Sequence, residues 1–581
     1  MTMNRLCQSK QPNLVCRLGF MGIRGRALSA ASLAVVPFLA LGALSARSSA
    51  DVVLQPRAGA PLPGLTQTEI QRFFAGKTSY TTPFGPATGL GPVMNKSNCQ
   101  SCHSNPVGGW GPIATTRFGM EEKGEFIEIG GGGGTLLQVL SINDGCREVL
   151  PPEATVTATR MTNSSLAFGM IEAIPDEAIA ANEDPDDLDG DGISGRVHWV
   201  LPLEASPKSP LRAGRFGWKA QVATVLTFSA DATRNELGIS NALIPTDSPP
   251  NGDMELLASC DSVPDPEDHA DASGFTFIER VTFFQRYLAT PPQTPRSGMS
   301  GEAVFAAIGC ARCHVPEWTT SGSKALEAAI RGKTIRPYSD FLLHDMGLLG
   351  DGVQDGDATE QEIRTPTLWN LRTRDPMLHD GSAAGGTFAT RVTAAILAHG
   401  PIGEGAASAA AFAKLSEVEK AQLVAFLDSL GRDEYDFDGD RSVTPMDLAM
   451  LADCRGRTDV TPDDPCAIGD VDQDGAIGPI DLEGMMLALS RGGFDVGADC
   501  DGDGVPNVAE IFAGAADADV DGVPDDCPLC PADFDRDGVI GANDLATVLA
   551  AWGTPDADLD GDGDTGATDL ATVLAAWGGC V

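Results

Sequence analysis

The sequence predicts a mainly α-helical protein in which two lobes with long loops are followed by a tail of small helical repeats. Three observations carry this prediction. The pattern Cys-x-x-Cys-His occurs twice, at residues 99–103 and 310–314. A capping box at Ser416 opens an amphipathic helix that Gly431 ends. Beyond residue 433, acidic 12-residue loops recur, and the last two precede identical apolar helical segments.

The N-terminus predicts export. Arg17, Arg24 and Arg26 precede an apolar run at residues 27–46, which ends in a small-x-small cleavage site at residues 48–50. A membrane anchor is the alternative, because the run approaches the roughly 20 residues that a membrane span needs. Pro37 and many small residues weaken that alternative. We expect residues 1–50 to be a cleaved signal peptide, Asp51 to begin the mature chain, and the protein to be periplasmic, secreted or bound at the cell surface.

Cys-x-x-Cys-His is the attachment signature of c-type haem, because two thiols reach the two vinyl groups of one porphyrin and the adjacent histidine ligates iron. One match alone fits a zinc half-site or a redox pair as well. Two matches, in an exported chain with only seven histidines, favour haem. The sequence therefore predicts two covalent haems, attached through Cys99, Cys102, Cys310 and Cys313 and ligated by His103 and His314.

The region around each motif follows the order of a cytochrome c fold. A short helix predicted at residues 302–308 leads into the second motif, and the helix after Ser416 follows about 100 residues later. The fold class is therefore mainly α, with two cytochrome c-like haem lobes. Gly- and Pro-rich sequence between the motifs, including residues 130–134, predicts long loops rather than a further compact domain.

The remaining cysteines predict disulfides. Cys7 and Cys16 leave with the signal peptide, four of the 14 cysteines bind haem, and eight remain: Cys146, Cys260, Cys454, Cys466, Cys500, Cys527, Cys530 and Cys580. An even remainder in an exported protein indicates disulfide bonds. The pairs Cys146–Cys260 and Cys454–Cys466 are plausible, but the spacing leaves the connectivity open.

The charge of the chain is uneven. The formal net charge is −41, and the residues from Asp433 onward hold 35 acidic and 5 basic side chains. This asymmetry predicts a domain boundary near Gly431. It also excludes nucleic acid as the expected partner, because a phosphate backbone is bound by Lys and Arg.

Several separated motifs resemble one known family. They lie at residues 91–95, 171–176, 187–196, 214–219, 342–347, 364–369 and 378–381. Together they are similar to the di-haem oxidoreductase family, proteins of peroxidase or thiol oxidoreductase type that are allied to bacterial di-haem cytochrome c peroxidases. The resemblance covers about residues 92–432. It implies two c-type haem lobes that face each other, one relaying electrons and one meeting peroxide.

The sixth ligand of each iron decides between electron transfer and peroxide binding. The resemblance places a ligand of the second haem after the His-Asp-Gly turn, where this chain has His399; Met346 and His344 are alternatives. For the first haem, relatives place a ligand beyond the motif, near Met120, which is equally a core methionine. A buried histidine that bonds to the next aspartate is the other reading of His344 and His379.

Peroxide chemistry also needs a positioned acid or base and a nearby cation. Glu172, Arg364 and Trp218 lie in the matched motifs and are the candidate catalytic residues. A structural ion pair or a core aromatic remains the alternative for each of them. The expected partners are a small redox protein or another electron donor, and peroxide.

The acidic tail contains five loops with the spacing of EF-hand calcium loops, in which oxygen ligands occupy positions 1, 3, 5 and 12. Four of the five have glycine at position 6, and Arg441 takes that place in the first. A disordered acidic tail fits the charge but not this register. The predicted calcium ligands are Asp436, Asp438, Asp440, Asp447, Asp470, Asp472, Asp474, Asp481, Asp499, Asp501, Asp503, Glu510, Asp533, Asp535, Asp537, Asp544, Asp558, Asp560, Asp562 and Asp569.

The last two loops and their helices, 25 residues apart, resemble a dockerin type I domain, which implies a cohesin-like or other cell-surface partner. Ala542-Asn543 and Ala567-Thr568 stand where a Ser-Thr pair often mediates recognition, so the cohesin itself stays open. The predicted domains are a signal peptide at 1–50, a di-haem region at 51–432 with lobes at about 60–260 and 290–432, acidic calcium-loop repeats at 433–530, and a dockerin-like pair at 531–581.

These features together predict an exported di-haem oxidoreductase with peroxidase-like chemistry at one haem and a calcium-binding tether. Two alternatives remain open. One is an electron-transfer cytochrome without catalysis. The other is a calcium-dependent surface-attachment protein that carries the haems as cargo.

Overall fold

A computed structural model describes residues 52–129, 134–501, 503–527, 531–535, 537 and 539–579. The predicted signal peptide, Asp51, and most of the glycine run at 130–134 lie outside these residues, as do Cys530 and Cys580. Within the described ranges, helices are too short or too polar to cross a membrane.

The described residues are mainly helical, as predicted. Their fifteen α-helices are α1 (Gln67–Thr81), α2 (Phe168–Glu172), α3 (Asp176–Ala180), α4 (Val225–Leu237), α5 (Met254–Cys260), α6 (Phe277–Arg286), α7 (Ser300–Ala307), α8 (Phe388–Leu397), α9 (Ala406–Ala413), α10 (Glu417–Ser429), α11 (Pro445–Cys454), α12 (Pro479–Arg491), α13 (Asn507–Ala513), α14 (Ala542–Ala550) and α15 (Ala567–Ala575).

Short strands accompany the helices. They are β1 (Val93–Met94), β2 (Gly111–Glu122), β3 (Glu125–Ile127), β4 (Leu136–Leu137), β5 (Leu140–Ser141), β6 (Val156–Thr162), β7 (Trp199–Val200), β8 (Arg212–Ala213), β9 (Trp318–Thr319), β10 (Thr334–Ile335), β11 (Leu343–Asp345), β12 (Glu362–Arg364), β13 (Val539–Ile540) and β14 (Gly578–Gly579). The long strand β2 pairs antiparallel with β3, β4 and β6. The predicted loops between the two motifs thus include a four-stranded sheet.

The first hydrophobic core lies around α1, α4 and α6. Phe73, Phe284 and Leu288 are among its fully buried members. α1 approaches α6 closely at Gly76, where an added Cβ would lie 2.2 Å from the carbonyl oxygen of Arg280. Only glycine permits this approach. The core also contains Trp318 and neighbours beyond the second motif, so part of the second half packs against the first.

The second core surrounds α7 and α10. Phe305 packs against Phe426 with ring centroids 5.5 Å apart. The predicted capping box that opens α10 is confirmed: the backbone N–H of Glu419 donates to Ser416 Oγ (3.3 Å), and the backbone N–H of Ser416 donates to a Glu419 carboxylate oxygen (2.8 Å). This helix forms where the apolar spacing and the cap both predicted it.

The tail has its own cores. α11, α12 and α13 share one, which also contains Leu54 from the other end of the described chain, and α14 and α15 share another. The beginning of the tail forms a hydrogen bond and an ion pair with residues that precede it in the chain. The Glu434 carboxylate accepts from the backbone N–H of Gln55 (2.7 Å) and pairs with Arg296 (2.7 Å).

Both disulfides considered from the sequence, Cys146–Cys260 and Cys454–Cys466, are present. A third joins Cys500 to Cys527. Among the described residues, the four cysteines of the two Cys-x-x-Cys-His motifs are the free ones. The thiols that the prediction assigns to haem are therefore those left unpaired.

Candidate functional site

The first motif forms a 3-10 turn, Cys99–Ser101, which Asn98 caps by accepting the backbone N–H of Ser101 (2.8 Å). The ring of the following His103 is oriented by a hydrogen bond, in which its Nδ1–H donates to the carbonyl oxygen of Gly109 (3.1 Å). Burial lowers the pKa of His103 to about 4. A neutral imidazole with Nδ1 engaged presents Nε2 as a metal-ligating nitrogen.

The second motif repeats this arrangement. A 3-10 turn spans Cys310–Arg312, and the Nδ1–H of His314 donates to the carbonyl oxygen of Tyr338 (2.9 Å). Burial lowers the pKa of His314 to about 4. Two distant segments of the chain thus hold a neutral histidine in the same way.

The motif thiols lie in buried surroundings. Burial raises the pKa of Cys99 and of Cys310 to about 12, and that of Cys102 to about 11. The two thiols of each motif face the same cavity as the histidine that follows them.

Each motif opens into a cavity. The first cavity, of about 1110 Å³, is lined by Cys99, Cys102 and His103. The second cavity, of about 1330 Å³, is lined by Cys310, Cys313 and His314. Each cavity thus brings the two thiols and the histidine of one motif to a common space.

Both cavities contain arginine side chains, and the hydrogen bonding of these side chains indicates whether a haem would fit. Arg117 Nε and Arg160 Nη2 line the first cavity and Arg374 Nε lines the second, and these buried atoms have no hydrogen-bond partner among the described residues. Burial lowers the pKa of Arg374, and of its cavity neighbour Arg364, to about 10. Buried donors without acceptors are costly. The propionate carboxylates of haem would supply acceptors, so the residues fit the cofactor.

One tryptophan lines both cavities. The indole N–H of Trp218 donates to the carbonyl oxygen of Met161 (2.8 Å), and the backbone N–H of Met161 donates to the carbonyl oxygen of His379 (2.6 Å). Arg364 closes the same wall, since its backbone N–H donates to the carbonyl oxygen of Trp218 (2.8 Å) and its Nε donates to that of Gly217 (2.7 Å). Of the predicted catalytic residues, Trp218 therefore borders both cavities and Arg364 lines the second.

The third, Glu172, lies in neither cavity lining. Its carboxylate forms an ion pair with Arg286 and accepts the backbone N–H of Val225 (3.1 Å). Arg286 also pairs with Glu327 (2.8 Å). The contacts of Glu172 are those of the alternative given for it, a structural ion pair.

The candidate ligands of the second haem converge on the second cavity. His399 and Met346 both line it, together with His344 and His379. The Nδ1–H of His399 donates to the carbonyl oxygen of Ala395 (2.8 Å), so its Nε2 is the nitrogen available to a metal. Burial lowers the pKa of His399, which favours the neutral, ligating form.

His344 has a different environment from the one expected. Its Nε2 bonds to Asp340 (2.9 Å) and its Nδ1 to Glu404 (2.5 Å), not to the aspartate that follows it. Burial opposes the charge, but Asp340 raises the pKa of His344 well above its usual value. Both ring nitrogens donate to carboxylates, so His344 is the weaker candidate for an iron ligand.

Met120 does not join the described residues that line the first cavity. It lies on β2, opposite Ile127 of β3. The methionine of this cavity is Met161, and an added Cβ at Gly381 would lie 2.9 Å from its sulfur. The position of Met120 on this strand agrees with the alternative of a packing methionine rather than a ligand of the first haem.

The first cavity also contains two acids that were not predicted from the sequence. Asp231 and Glu236, on α4, both line it, and burial raises the pKa of each. The amide of Asn95 donates to the Glu236 carboxylate (2.7 Å). The only sequence signal was a group of polar residues on one helix, which normally indicates a solvent-facing side.

Four of the five acidic loops of the tail are closed by the same hydrogen bonds. The position-12 carboxylates Asp447, Asp481, Asp544 and Asp569 are almost fully buried, and each accepts the backbone N–H of positions 2 and 9 of its own loop. In the third loop Asn507, not Glu510, accepts the N–H of position 2 (2.9 Å). In the first loop, Asp436 is fully buried and pairs with Arg372 (2.6 Å).

Part of the chain is similar to a known protein family. Residues 147–430 match the family model described as "Di-haem oxidoreductase, putative peroxidase". This part of the chain contains the second motif, and the first motif precedes it. The match supports a di-haem redox function.

Two solved structures are similar at low level. One, described as a MauG-like protein associated with microbial copper homeostasis, has 15% identity and a TM-score of 0.30, over 65% of this chain and 93% of that chain. The other, a hydrazine synthase from Kuenenia stuttgartiensis, has 12% identity and a TM-score of 0.28, over 69% of this chain and 100% of that chain. No match is found among curated proteins.

Proposed function

We propose that this chain is an exported di-haem c-type oxidoreductase that receives electrons from a small redox protein and reduces peroxide at the first cavity. The asymmetry of the two cavities carries this proposal. The second cavity brings His399 and Met346 to the same space as His314. The described lining of the first cavity has one histidine, His103, one methionine, Met161, and two acids on α4.

The second cavity suits electron transfer. His399 is neutral and is oriented by Ala395, so it is the proposed sixth ligand, with Met346 as the alternative. An iron with two strong axial ligands changes oxidation state without binding substrate. Bound haem supplies the redox-active iron at both sites.

The first cavity suits peroxide reduction. Reduction of one peroxide molecule to two waters consumes two electrons and two protons. Burial raises the pKa of Asp231 and of Glu236, which favours the protonated acids that can deliver those protons. The electrons come from the external donor by way of the second cavity, and Trp218 lies in the wall between the two.

The tail is proposed to bind calcium and to tether the protein to a cohesin-like or other surface partner. The supporting observation is that clustered carboxylate oxygens lie within 4.8 Å of one another in the loops, as at Asp470, Asp472 and Asp481. Oxygen-only clusters of this kind suit calcium. The first loop has the same kind of cluster, at Asp436, Asp438 and Asp447, and there Arg372 also pairs with Asp436.

Spectroscopy of the full-length holoprotein tests the central proposal. We expect two covalent haems per chain, one low-spin and one that responds to peroxide. Asp231→Asn and Glu236→Gln should slow peroxide reduction by about 10²–10⁴-fold, the usual contribution of a positioned acid. Two low-spin haems that ignore peroxide in every redox state would instead establish an electron-transfer cytochrome.

A further inference from the structure

A buried carboxylate without partners lies in the loop between α4 and α5. The side chain of Asp247 belongs to a residue that is 2% exposed, and neither of its oxygens has a hydrogen-bond partner. The next residue, Ser248, is 1% exposed, and its hydroxyl is likewise without a partner. Buried polar atoms are normally satisfied, so this pair requires an explanation.

Two further carboxylates converge on Asp247. One oxygen each from Asp247, Asp265 and Glu267 lie within 4.8 Å of one another. The fully buried Ser240 orients the second and third acids: its hydroxyl donates to Asp265 (2.9 Å) and to Glu267, and its backbone N–H donates to Glu267 (2.7 Å). The geometry of the cluster is therefore fixed by the fold on one side and open towards Asp247.

Three acids this close repel one another. Burial, together with Glu267, Asp265 and Asp261, raises the pKa of Asp247 to about 9. Arg234 is the nearby cation that opposes the shift, and its guanidinium donates to the carbonyl oxygens of Thr246 (3.3 Å) and Asp247 (3.2 Å).

Protonation of Asp247 would remove its charge but not its lack of partners. The new O–H group would need an acceptor, and the carbonyl oxygen would still need a donor. A bound cation satisfies both oxygens at once and also offsets the repulsion from Asp265 and Glu267.

We propose that Asp247, Asp265 and Glu267 form a binding site for a hard divalent cation, calcium. The donor set consists of carboxylate oxygens, which calcium prefers, and contains no nitrogen or sulfur. None of the three residues lines either cavity among the described residues, and all of them precede the tail loops. The proposed site is therefore separate from the two cavities and from the tail loops.

A bound ion would connect two segments, the loop that contains Asp247 and the loop that contains Asp265 and Glu267, to the turn that precedes the first motif. Glu267 packs against Gly89, where an added Cβ would lie 2.8 Å from the Glu267 Cβ. Ser240 follows α4, the helix that carries the acids of the first cavity. An occupied site would thus fix the end of α4 relative to the segment that leads into Cys99.

The test counts ions in the full-length holoprotein. Each protein is stripped with chelator and dialysed against Ca²⁺, and the bound calcium per chain is measured. Asp247→Asn should bind one Ca²⁺ fewer than the wild type. The matched control, Glu255→Gln, removes an exposed charge eight residues away and should bind the wild-type number. Equal numbers in all three proteins would overturn the proposal.

A second measurement does not depend on the variant folding. Crystals of the wild-type holoprotein grown with Tb³⁺, a calcium substitute, should show an anomalous peak between the carboxylates of Asp247, Asp265 and Glu267. Peaks confined to the tail loops would overturn the proposal. A peak at this cluster would support it even if Asp247→Asn cannot be purified.

Discussion

A buried cluster of charged side chains should stabilise the part of the fold that lines the first cavity. The Asp351 carboxylate accepts from Arg160 Nε (2.7 Å) and Lys219 Nζ (2.9 Å), and the three side chains are 1%, 4% and 0% exposed. Arg160 also pairs with Asp355 (3.1 Å) and lines the first cavity. The substitution Asp351→Asn keeps the shape of the side chain but removes its charge.

The cost of that substitution follows from what remains. Two buried cations would share one carboxylate, Asp355. Removing one partner of a buried ion pair costs about 3–5 kcal/mol, because the other charge stays buried and uncompensated. Net stabilities of about 5–15 kcal/mol are usual, so Asp351→Asn should remove roughly a fifth or more of the stability.

The same cluster predicts a pH dependence. Burial opposes ionisation of Asp351, but Arg160 and Lys219 hold its pKa below the ordinary value. Its contribution should be complete above the unfolded pKa of about 3.9 and should fall as the pH drops through the lower folded pKa. The difference between the wild type and Asp351→Asn should therefore shrink in acid.

Urea unfolding of the holoprotein, followed by far-UV circular dichroism and by Soret absorbance, measures the effect. Asp357→Asn is the matched control, because it removes an exposed charge from the same loop and should change the stability by no more than about 0.5 kcal/mol. If Asp351→Asn unfolds within about 0.5 kcal/mol of the wild type, the argument from buried charge is refuted.

Three further predictions concern the second cavity and the tail. His399→Ala should remove one low-spin ferric signal yet leave two covalent haems, whereas the exposed His269→Ala should change neither; an unchanged spectrum would rule out His399 as a ligand. Arg374→Gln should lower the reduction potential of the second haem by on the order of 59 mV, the equivalent of a tenfold change in equilibrium, because a buried cation disfavours the oxidised iron; a redox titration without a shift would contradict this. Calcium chelation should make the tail sensitive to protease through carboxylate repulsion while the haem spectra stay constant; equal cleavage rates with and without calcium would refute the calcium tail.

The parts of the fold that follow local rules could be predicted from the sequence. The helix after Ser416 forms because its cap and apolar spacing agree. The pairs Cys146–Cys260 and Cys454–Cys466 form as considered. The sheet around β2 could not be predicted in this way, because its pairing with β6 depends on contacts about 40 residues apart in the chain.

The residues of the candidate site likewise fall into two groups: those that a contiguous pattern predicts and those whose role depends on the folded chain. Cys-x-x-Cys-His is a contiguous pattern, so both motifs and their histidines were identified directly. The ion pair of Glu172 could not be predicted, because the motif that contains it does not reveal Arg286, its partner 114 residues later. Asp231 and the unpartnered nitrogen of Arg374 were missed because their importance depends on burial in a cavity, which only the folded chain defines.

The most direct test of the central claim is the ferric electron paramagnetic resonance spectrum of the full-length holoprotein, recorded before and after peroxide is added to the half-reduced form. We predict two distinct haem signals, of which the low-spin signal is lost in His399→Ala and the other responds to peroxide. Two equivalent low-spin signals that peroxide leaves unchanged would contradict the assignment of different roles to the two cavities.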